Sequence, residues 1–130
     1  MDRGELPLSR NDALGNPLMN VEQVRRIALA LPSVSEEPHF EFASFRIGGK
    51  IFATLPPDAQ HLHVFVDEEQ RQIALALEPD ATERLLWGKR VVGLRLRLAG
   101  AKPTLVKRLL AQAWSRKAPK RLLAAASHRN

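Results

Sequence analysis

The segment around Gly48 and Gly49 constrains the fold more than any other part of this sequence. Two runs rich in apolar, β-branched and aromatic residues, 42–47 and 50–55, flank the glycine pair. A two-residue hairpin turn requires positive φ at its centre, which glycine adopts without steric cost. The pattern therefore predicts an antiparallel hairpin, and the Pro-Pro-Asp sequence at 56–58 ends its second strand.

Two further segments show the period of two that is typical of strands. Residues 61–66 alternate along one predicted strand, and residues 91–98 alternate leucine with arginine or glycine along another. Successive side chains of a strand point to opposite faces of the sheet. We therefore expect the leucines of the second segment to face the core, and Arg95 and Arg97 to face the other way.

The first predicted helix has a clear start and a clear end. Asn20 followed by Gln23 forms a capping-box pattern, and apolar residues then recur at helical spacing. A proline disfavours helical geometry at the residue before it, so Pro32 stops the helix. The predicted helix covers residues 21–30.

Three more helices follow from caps and prolines. Asp67 can cap a second helix, which ends before Pro79. Pro103 is tolerated in a first helical turn and begins a long amphipathic helix that continues to about Arg116. A last short helix is predicted from Lys120.

The two remaining segments carry turn-forming or capping residues. Residues 33–41 hold Ser, Glu, Pro and His and predict a loop. Asp80 followed by Glu83 resembles a capping box and predicts one helical turn through Leu86. Without this single turn and the short last helix, the order is α-β-β-β-α-β-α, which predicts an α+β domain in which an antiparallel sheet of four or more strands packs against helices.

Composition sets the outer limits of the chain. Residues 1–18 contain glycines and prolines without periodicity and predict a flexible N-terminal arm, residues 19–126 a single domain, and residues 127–130 a short tail. There is no cysteine, no apolar run near 18 residues and no apolar signal segment at the start. We therefore expect no disulfide, no membrane association and a cytoplasmic location.

Charge is distributed unevenly along the chain. The last acidic residue is Glu83, and residues 84–130 contain 13 Lys or Arg and no Asp or Glu. Residues 1–83 contain 7 Lys or Arg and all 14 acidic residues, so the two parts carry −7 and +13 within a total of +6. Such asymmetry indicates an anionic partner, although a solvated basic face that only keeps the protein soluble explains it equally well.

Several motifs resemble a known family. The relevant sequences are Leu31-Pro32, His39-Phe40, the stretch Ser44–Ala53, Trp87–Arg90 and Ala113–Lys120. The third is similar to the family stretch SFRVGGKIFA and is the most specific. Over residues 19–123 the chain resembles the MmcQ/YjbR family.

This resemblance implies both a fold and a function. The fold would be similar to that of CyaY and frataxin, with helices packed on one face of a sheet. The function would be DNA binding through a motif that resembles a double wing. One difference from the family pattern is the absence of a tryptophan in the strand after Trp87-Gly88, where this chain has Val91-Val92-Gly93.

Together, the charge and the resemblance predict binding to the phosphate backbone of DNA, independent of base sequence. Arg46 and Lys50 flank the Gly48-Gly49 turn and are candidates for a wing. Cations near the end of the long helix also complement its dipole, which is a purely structural use. The candidate nucleic-acid-binding residues are Lys89, Arg90, Arg95, Arg97, Lys107, Arg108, Arg116, Lys117, Lys120 and Arg121.

Other functions are kept as alternatives. One is an adaptor or chaperone-like module that docks an acidic protein partner, and another is a small-molecule site near Phe40, Phe42 and Trp87. His61 and His63 share a strand face but are too few for a zinc site without cysteine. No nucleophile elbow, phosphate-binding glycine loop or HExxH motif is present, so we expect neither an enzyme nor a cofactor.

Overall fold

The computed structural model describes residues 18–127, and side chains are described through residue 124. The predicted N-terminal arm, 1–18, and the predicted tail, 127–130, lie almost wholly outside these residues. Two backbone hydrogen bonds hold the first described residues against the domain. The Leu18 N–H donates to the Ala99 carbonyl (3.0 Å) and the Met19 N–H to the Leu98 carbonyl (3.1 Å). Across the described span, no helix is both long and apolar enough to cross a bilayer.

The described residues form four α-helices, six strands and one 3-10 turn at Leu98–Gly100. The elements are α1 (Val21–Leu29), β1 (Ser35–His39), β2 (Phe42–Ile47), β3 (Lys50–Leu55), β4 (His61–Val64), α2 (Glu68–Leu77), β5 (Thr82–Trp87), β6 (Arg90–Arg97), α3 (Pro103–Lys117) and α4 (Lys120–Ser127).

All six strands belong to one antiparallel sheet in the order β1-β2-β3-β4-β6-β5. The strand β6 lies between β4 and β5 because the chain leaves the sheet after β4, forms α2 and returns along the outer edge as β5. β1 and β5 are therefore the two edge strands. The α+β class expected from the sequence is confirmed.

The core lies between one face of the sheet and the helices. Phe45, Phe52, Leu62, Leu94 and Leu109 are all fully buried there. Alternation then directs the intervening residues to the opposite face, which we call the polar face. Its central row consists of Ser44, Thr54, His63 and Arg95, which are cross-strand neighbours on β2, β3, β4 and β6.

Several local predictions are confirmed. Gly48 and Gly49 both have positive φ, +59° and +78°, as a hairpin turn of this kind requires. Asn20 and Gln23 form the reciprocal bonds of a capping box, both 2.9 Å, at the start of α1. The leucines of β6 at 94 and 96 are buried, and Pro103 occupies the first turn of α3.

The loop predicted at 33–41 is wrong, because Ser35–His39 forms strand β1. It pairs only with β2, and Glu37 lies opposite Ser44. An edge strand hydrogen-bonds on one side only, so it tolerates the charges and the Pro38 that suggested a loop. With four of its five residues exposed, this strand has no apolar alternation that a sequence pattern could reveal.

The helical turn predicted at 80–86 is also wrong, because Thr82–Trp87 forms strand β5. Glu83 lies opposite Arg95 in the β5–β6 ladder, so it does not complete a capping box with Asp80. The element order is therefore α-β-β-β-β-α-β-β-α-α and not α-β-β-β-α-β-α. Pairing with the strongly alternating β6 overrides the local capping pattern.

Candidate functional site

A gap opens in the sheet where β4 ends. β4 pairs with β6 only over His61–Val64, whereas β6 begins four residues earlier, at Arg90. Beyond Val64 the chain turns away toward α2, and the last backbone bond to β3 is donated by Phe65 to the carbonyl of Phe52 (3.1 Å). The first half of β6 therefore has no β4 neighbour.

This gap forms part of an open groove of about 880 Å³. Its walls come from five places in the chain: the β1–β2 turn, the polar face of β3 and β4, the start of α2, the β5–β6 hairpin and the end of α3. A volume in this range is typical of ligand sites in proteins. Because its walls come from parts of the chain distant in sequence, folding is needed to assemble it.

The β5–β6 hairpin contributes one end of the groove. The Trp87 side chain lines the groove and is 80% exposed, and the neighbouring Leu86 is 58% exposed. Trp87 lies directly across the hairpin from Arg90. The turn between them is Gly88-Lys89, and Gly88 has a φ of +64°. An aromatic ring and a guanidinium group thus stand side by side at a solvent-facing tip.

The β1–β2 turn contributes aromatic rings at another edge. Phe40 has a φ of +57° and is 90% exposed, and its ring meets that of His39 edge-on at 4.9 Å. A left-handed conformation is costly for a bulky side chain, and exposure means that the ring adds little to the core. Strain without burial suggests that Phe40 is placed for contact with something outside the domain.

His63 lies on the floor of the groove. It is 8% exposed, and its Nε2 atom is buried without a hydrogen-bond partner. Burial, and then the charges of Arg95 and His61, lower the pKa of His63 to about 4. The imidazole is therefore neutral near pH 7, with one N–H donor and one acceptor. The ring of Phe42 is its aromatic neighbour, at 6.0 Å.

Three of the predicted cations line the groove. They are Arg90 from β6 and Arg116 and Lys117 from the end of α3. Arg116 donates to the carbonyl oxygen of Phe65 (2.7 Å), which fixes its guanidinium at the gap. Within residues 18–124, none of the three has a carboxylate partner. Their charge is therefore available to a ligand.

The acidic residues of the groove are already occupied. Asp67 accepts a hydrogen bond from the Gln70 N–H (3.1 Å) and so caps α2. Glu68 binds Arg84 (2.7 Å) and Arg71 (2.9 Å), and these hydrogen bonds lower the pKa of Glu68 to about 2. The groove consequently favours anions over cations.

The other predicted nucleic-acid residues lie elsewhere. Arg95 is set between Asp58 (3.8 Å) and Glu83 (3.6 Å), and Arg97 donates to the carbonyl of Asp80 (3.1 Å). Arg95 is roughly 17 Å along the strand from Arg90 at the usual rise per residue. The remaining cations are exposed: Lys89 in the β5–β6 turn, Lys107 and Arg108 on the outer side of α3, and Lys120 and Arg121 on α4.

The β2–β3 hairpin carries the two cations that were predicted to form a wing. Arg46 donates to the Ser44 hydroxyl (3.0 Å) and to the Pro38 carbonyl (3.3 Å), so its side chain lies along β1 and away from the turn. Lys50 is exposed. The turn itself faces the junction of α3 and α4, where a Cβ on Gly48 would lie 3.7 Å from Pro119.

Sequence reasoning identified the groove only in part. Phe40, Phe42 and Trp87, named for the small-molecule alternative, all line it. The gap beyond Val64 and the position of His63 beneath these rings were missed, because they depend on where β4 stops pairing. In the described part of the chain, no three His, Asp or Glu residues gather closely enough to hold a metal ion.

Fold and groove together define an α+β domain with a six-stranded antiparallel sheet and one open, aromatic, basic groove. The sequence profile of the YjbR family matches residues 29–116, which is more than half of the chain. The chain therefore belongs to the YjbR family. No curated protein matches the sequence.

A solved structure shares this architecture. It is the protein DR2400 of Deinococcus radiodurans, which contains a DUF419 domain, and it aligns with a TM-score of 0.64. The alignment covers 76% of this chain and 78% of the other, at 20% sequence identity. A likeness at this identity establishes a similar fold and carries no function across.

Proposed function

We propose that this protein is a cytoplasmic nucleic-acid-binding accessory protein rather than an enzyme. The main observation in support is the convergence of Arg90, Arg116 and Lys117 on one groove, each without a carboxylate partner among the described residues. The excess of positive charge after Glu83 supports the same function. Of the sequence-predicted cations, these three are the ones that we assign to phosphate contact.

Phosphate contact has a measurable signature. Each neutralised phosphate releases counterions, so the logarithm of the binding constant falls linearly with the logarithm of the salt concentration. Arginine suits this task because its planar donors match phosphate oxygens. The outer cations Lys107 and Arg108 would contribute only to long-range attraction, which salt screens.

A matched pair of double charge reversals tests this proposal. One variant carries Arg90→Glu and Lys117→Glu, and the control carries Lys107→Glu and Arg108→Glu, so both lower the net charge by the same amount. Binding of labelled oligonucleotides, duplex and single-stranded, is measured by fluorescence anisotropy over a salt series. In the groove variant, the slope of the logarithm of the binding constant against the logarithm of salt concentration should become less steep by about 2, one for each lost phosphate contact. The control should change the slope far less, because its cations contribute only long-range attraction.

Two results would overturn the proposal at different levels. If neither oligonucleotide binds even at low salt, the protein does not bind nucleic acid. If both double variants lose affinity and salt slope equally, binding is diffuse and the groove is not the site.

A protein-interaction role is the second candidate, and a specific surface favours it. Leu77, Leu86 and Trp87 are 61%, 58% and 80% exposed, and the last two belong to the edge strand β5. Exposed apolar side chains on an edge strand suit the addition of a partner strand. A purified partner that competes with neither oligonucleotide and whose binding depends on Leu86 would favour this candidate.

A further inference from the structure

We propose that the groove receives unpaired bases, so that its ligand is single-stranded nucleic acid. This inference rests on the proposed function. It specifies that the nucleic acid is single-stranded and that its bases contact the groove. Its evidence is separate from the cations: two exposed aromatic side chains and one buried histidine atom without a partner.

The exposed aromatic rings would bind a base by stacking on its face. Phe40 and Trp87 project into solvent at two edges of the groove, at 90% and 80% exposure. In a duplex, the base faces are stacked against one another and meet such rings only where the stack is opened or ends. An unpaired base can stack on either ring, and such stacking is a main source of affinity in single-strand-binding proteins.

The position of Arg90 fits the same ligand. Arg90 is the cross-strand partner of Trp87, so its guanidinium lies beside the indole at the hairpin tip. A nucleotide whose base stacks on Trp87 has its phosphate one sugar away, within reach of such a neighbour. Arg116 and Lys117 place further positive charge along the groove.

His63 lines the floor of the groove and offers a polar ring to a ligand. Its Nε2 atom has no hydrogen bond and is enclosed by the protein, so a ligand reaches this atom only when the ring turns within the floor. A base edge offers both donors and acceptors, so it can pair with the neutral imidazole in either tautomer. An apolar ligand would leave this atom unpaired.

The charge of the groove distinguishes single-stranded nucleic acid from a peptide. The walls carry the cations Arg71, Arg90, Arg116 and Lys117 against the carboxylates of Asp67 and Glu68, so their net charge is positive. A polyanion with aromatic faces satisfies both features of the walls at once. An acidic peptide would satisfy the charge but would leave Phe40 and Trp87 without stacking partners.

Tryptophan fluorescence provides a direct test. The chain has two tryptophans, and Trp114 is buried with its indole N–H bound to the Pro32 carbonyl, so it gives a constant background. A single-stranded oligonucleotide of about ten nucleotides, a typical site length for such proteins, should quench the Trp87 emission. A duplex of the same length and a polyglutamate peptide should not.

Substitutions then separate stacking from charge. Trp87→Ala and Phe40→Ala should each weaken single-strand binding roughly 5- to 150-fold, the range that alanine substitution gives for a stacked base. Duplex binding, measured by anisotropy, should stay unchanged. Trp87→Phe keeps an aromatic ring, so it should retain most of the affinity while it abolishes the quenching signal.

The outcomes distinguish this inference from the proposed function. If duplex and single strand bind equally and neither alanine variant alters affinity, the protein contacts phosphates without bases, and only this inference fails. If polyglutamate quenches Trp87 and displaces the oligonucleotide, the groove is a peptide site. If no oligonucleotide binds at low salt, both proposals fail.

Discussion

The two glycine-turn hairpins share one construction and differ in their surroundings. In each, the two residues beside the turn are paired, and then a bulge skips one residue of the second strand, Phe52 in β3 and Val92 in β6. Ile47 and Trp87 therefore occupy equivalent positions, immediately before the turn. Ile47 is 1% exposed, whereas Trp87 is 80% exposed.

The difference comes from position in the sheet. β2 and β3 lie inside the sheet, β3 packs under α3, and the turn between them lies near Pro119, so this hairpin is used for packing. β5 is an edge strand, and the first half of β6 has no β4 neighbour, so the second hairpin keeps its tip in solvent. The same pairing pattern therefore contributes to core packing in the β2–β3 hairpin and leaves side chains exposed in the β5–β6 hairpin.

The largest expected difference lies between alanine substitutions at the two equivalent positions. Ile47→Ala should lower the free energy of unfolding by about 3 kcal/mol, because it removes a fully buried side chain and leaves a cavity. Trp87→Ala should change it by less than about 0.5 kcal/mol, since the ring is exposed. Chemical denaturation of both variants measures the two values. A large loss in Trp87→Ala would show that its ring packs on the domain.

The next effect concerns the joint between the second hairpin and β4. A Cβ at Gly93 would lie 2.2 Å from the Val64 carbonyl oxygen, so Gly93→Ala should destabilise the protein by about 3 kcal/mol. Gly100→Ala is the control, because the atoms nearest to its Cβ would be those of the Arg97 guanidinium, at 2.8 Å, which is the far end of a flexible side chain. Thermal and chemical unfolding compare them. Similar stability in both variants would mean that β4 and β6 separate easily at this point.

His63, on the floor of the groove, should make the stability of the protein depend on pH. The pKa of His63 is about 4 in the folded chain, below its ordinary 6.5, so the unfolded chain takes up the proton first as pH falls. Stability should therefore decrease from about pH 6.5 to pH 4 by at most roughly 3 kcal/mol and be unaffected above that window. Arg95, His61 and Asp58 are the charged or titratable groups that act on the ring.

A substitution isolates this histidine from the carboxylates. His63→Gln cannot titrate, so its denaturation midpoint should vary less between pH 6.5 and 4 than that of the original protein. The lowered pKa of Glu68, about 2, affects stability mainly below this window, since an ordinary Glu titrates near 4.5. An unchanged pH profile in His63→Gln would assign the acid sensitivity to other groups.

The strands with strong patterns were predictable, and the edge strands were not. The β2–β3 hairpin follows from Gly48-Gly49 between apolar runs, and β6 follows from its alternation, because inner strands must bury one face. β1 has the sequence SEEPH, and its only partner is β2, so no local pattern records it. Asp80, just before β5, and Glu83, within it, resemble the start of a helix, and only pairing with β6 makes this segment a strand.

The candidate site was predictable in composition and not in arrangement. The excess of cations after Glu83 follows from the sequence, and so do the aromatic residues at 40, 42 and 87. Which cations escape carboxylates depends on contacts distant in sequence, such as that of Arg95 with Asp58. The groove exists because β4 stops at Val64 while β6 is longer, and no short motif encodes that difference in length.

The smallest expected effect comes from substituting the first glycine of each hairpin turn. Gly48 and Gly88 are equivalent, with φ of +59° and +64°, and a Cβ at either would meet no atom closer than 3.7 Å. Alanine at each should therefore cost about 1 kcal/mol of stability, from the left-handed backbone alone. Because only the second turn carries Trp87 and Arg90, only Gly88→Ala should also weaken oligonucleotide binding. Equal losses of binding in the two variants would mean that the β5–β6 tip has no special part in recognition.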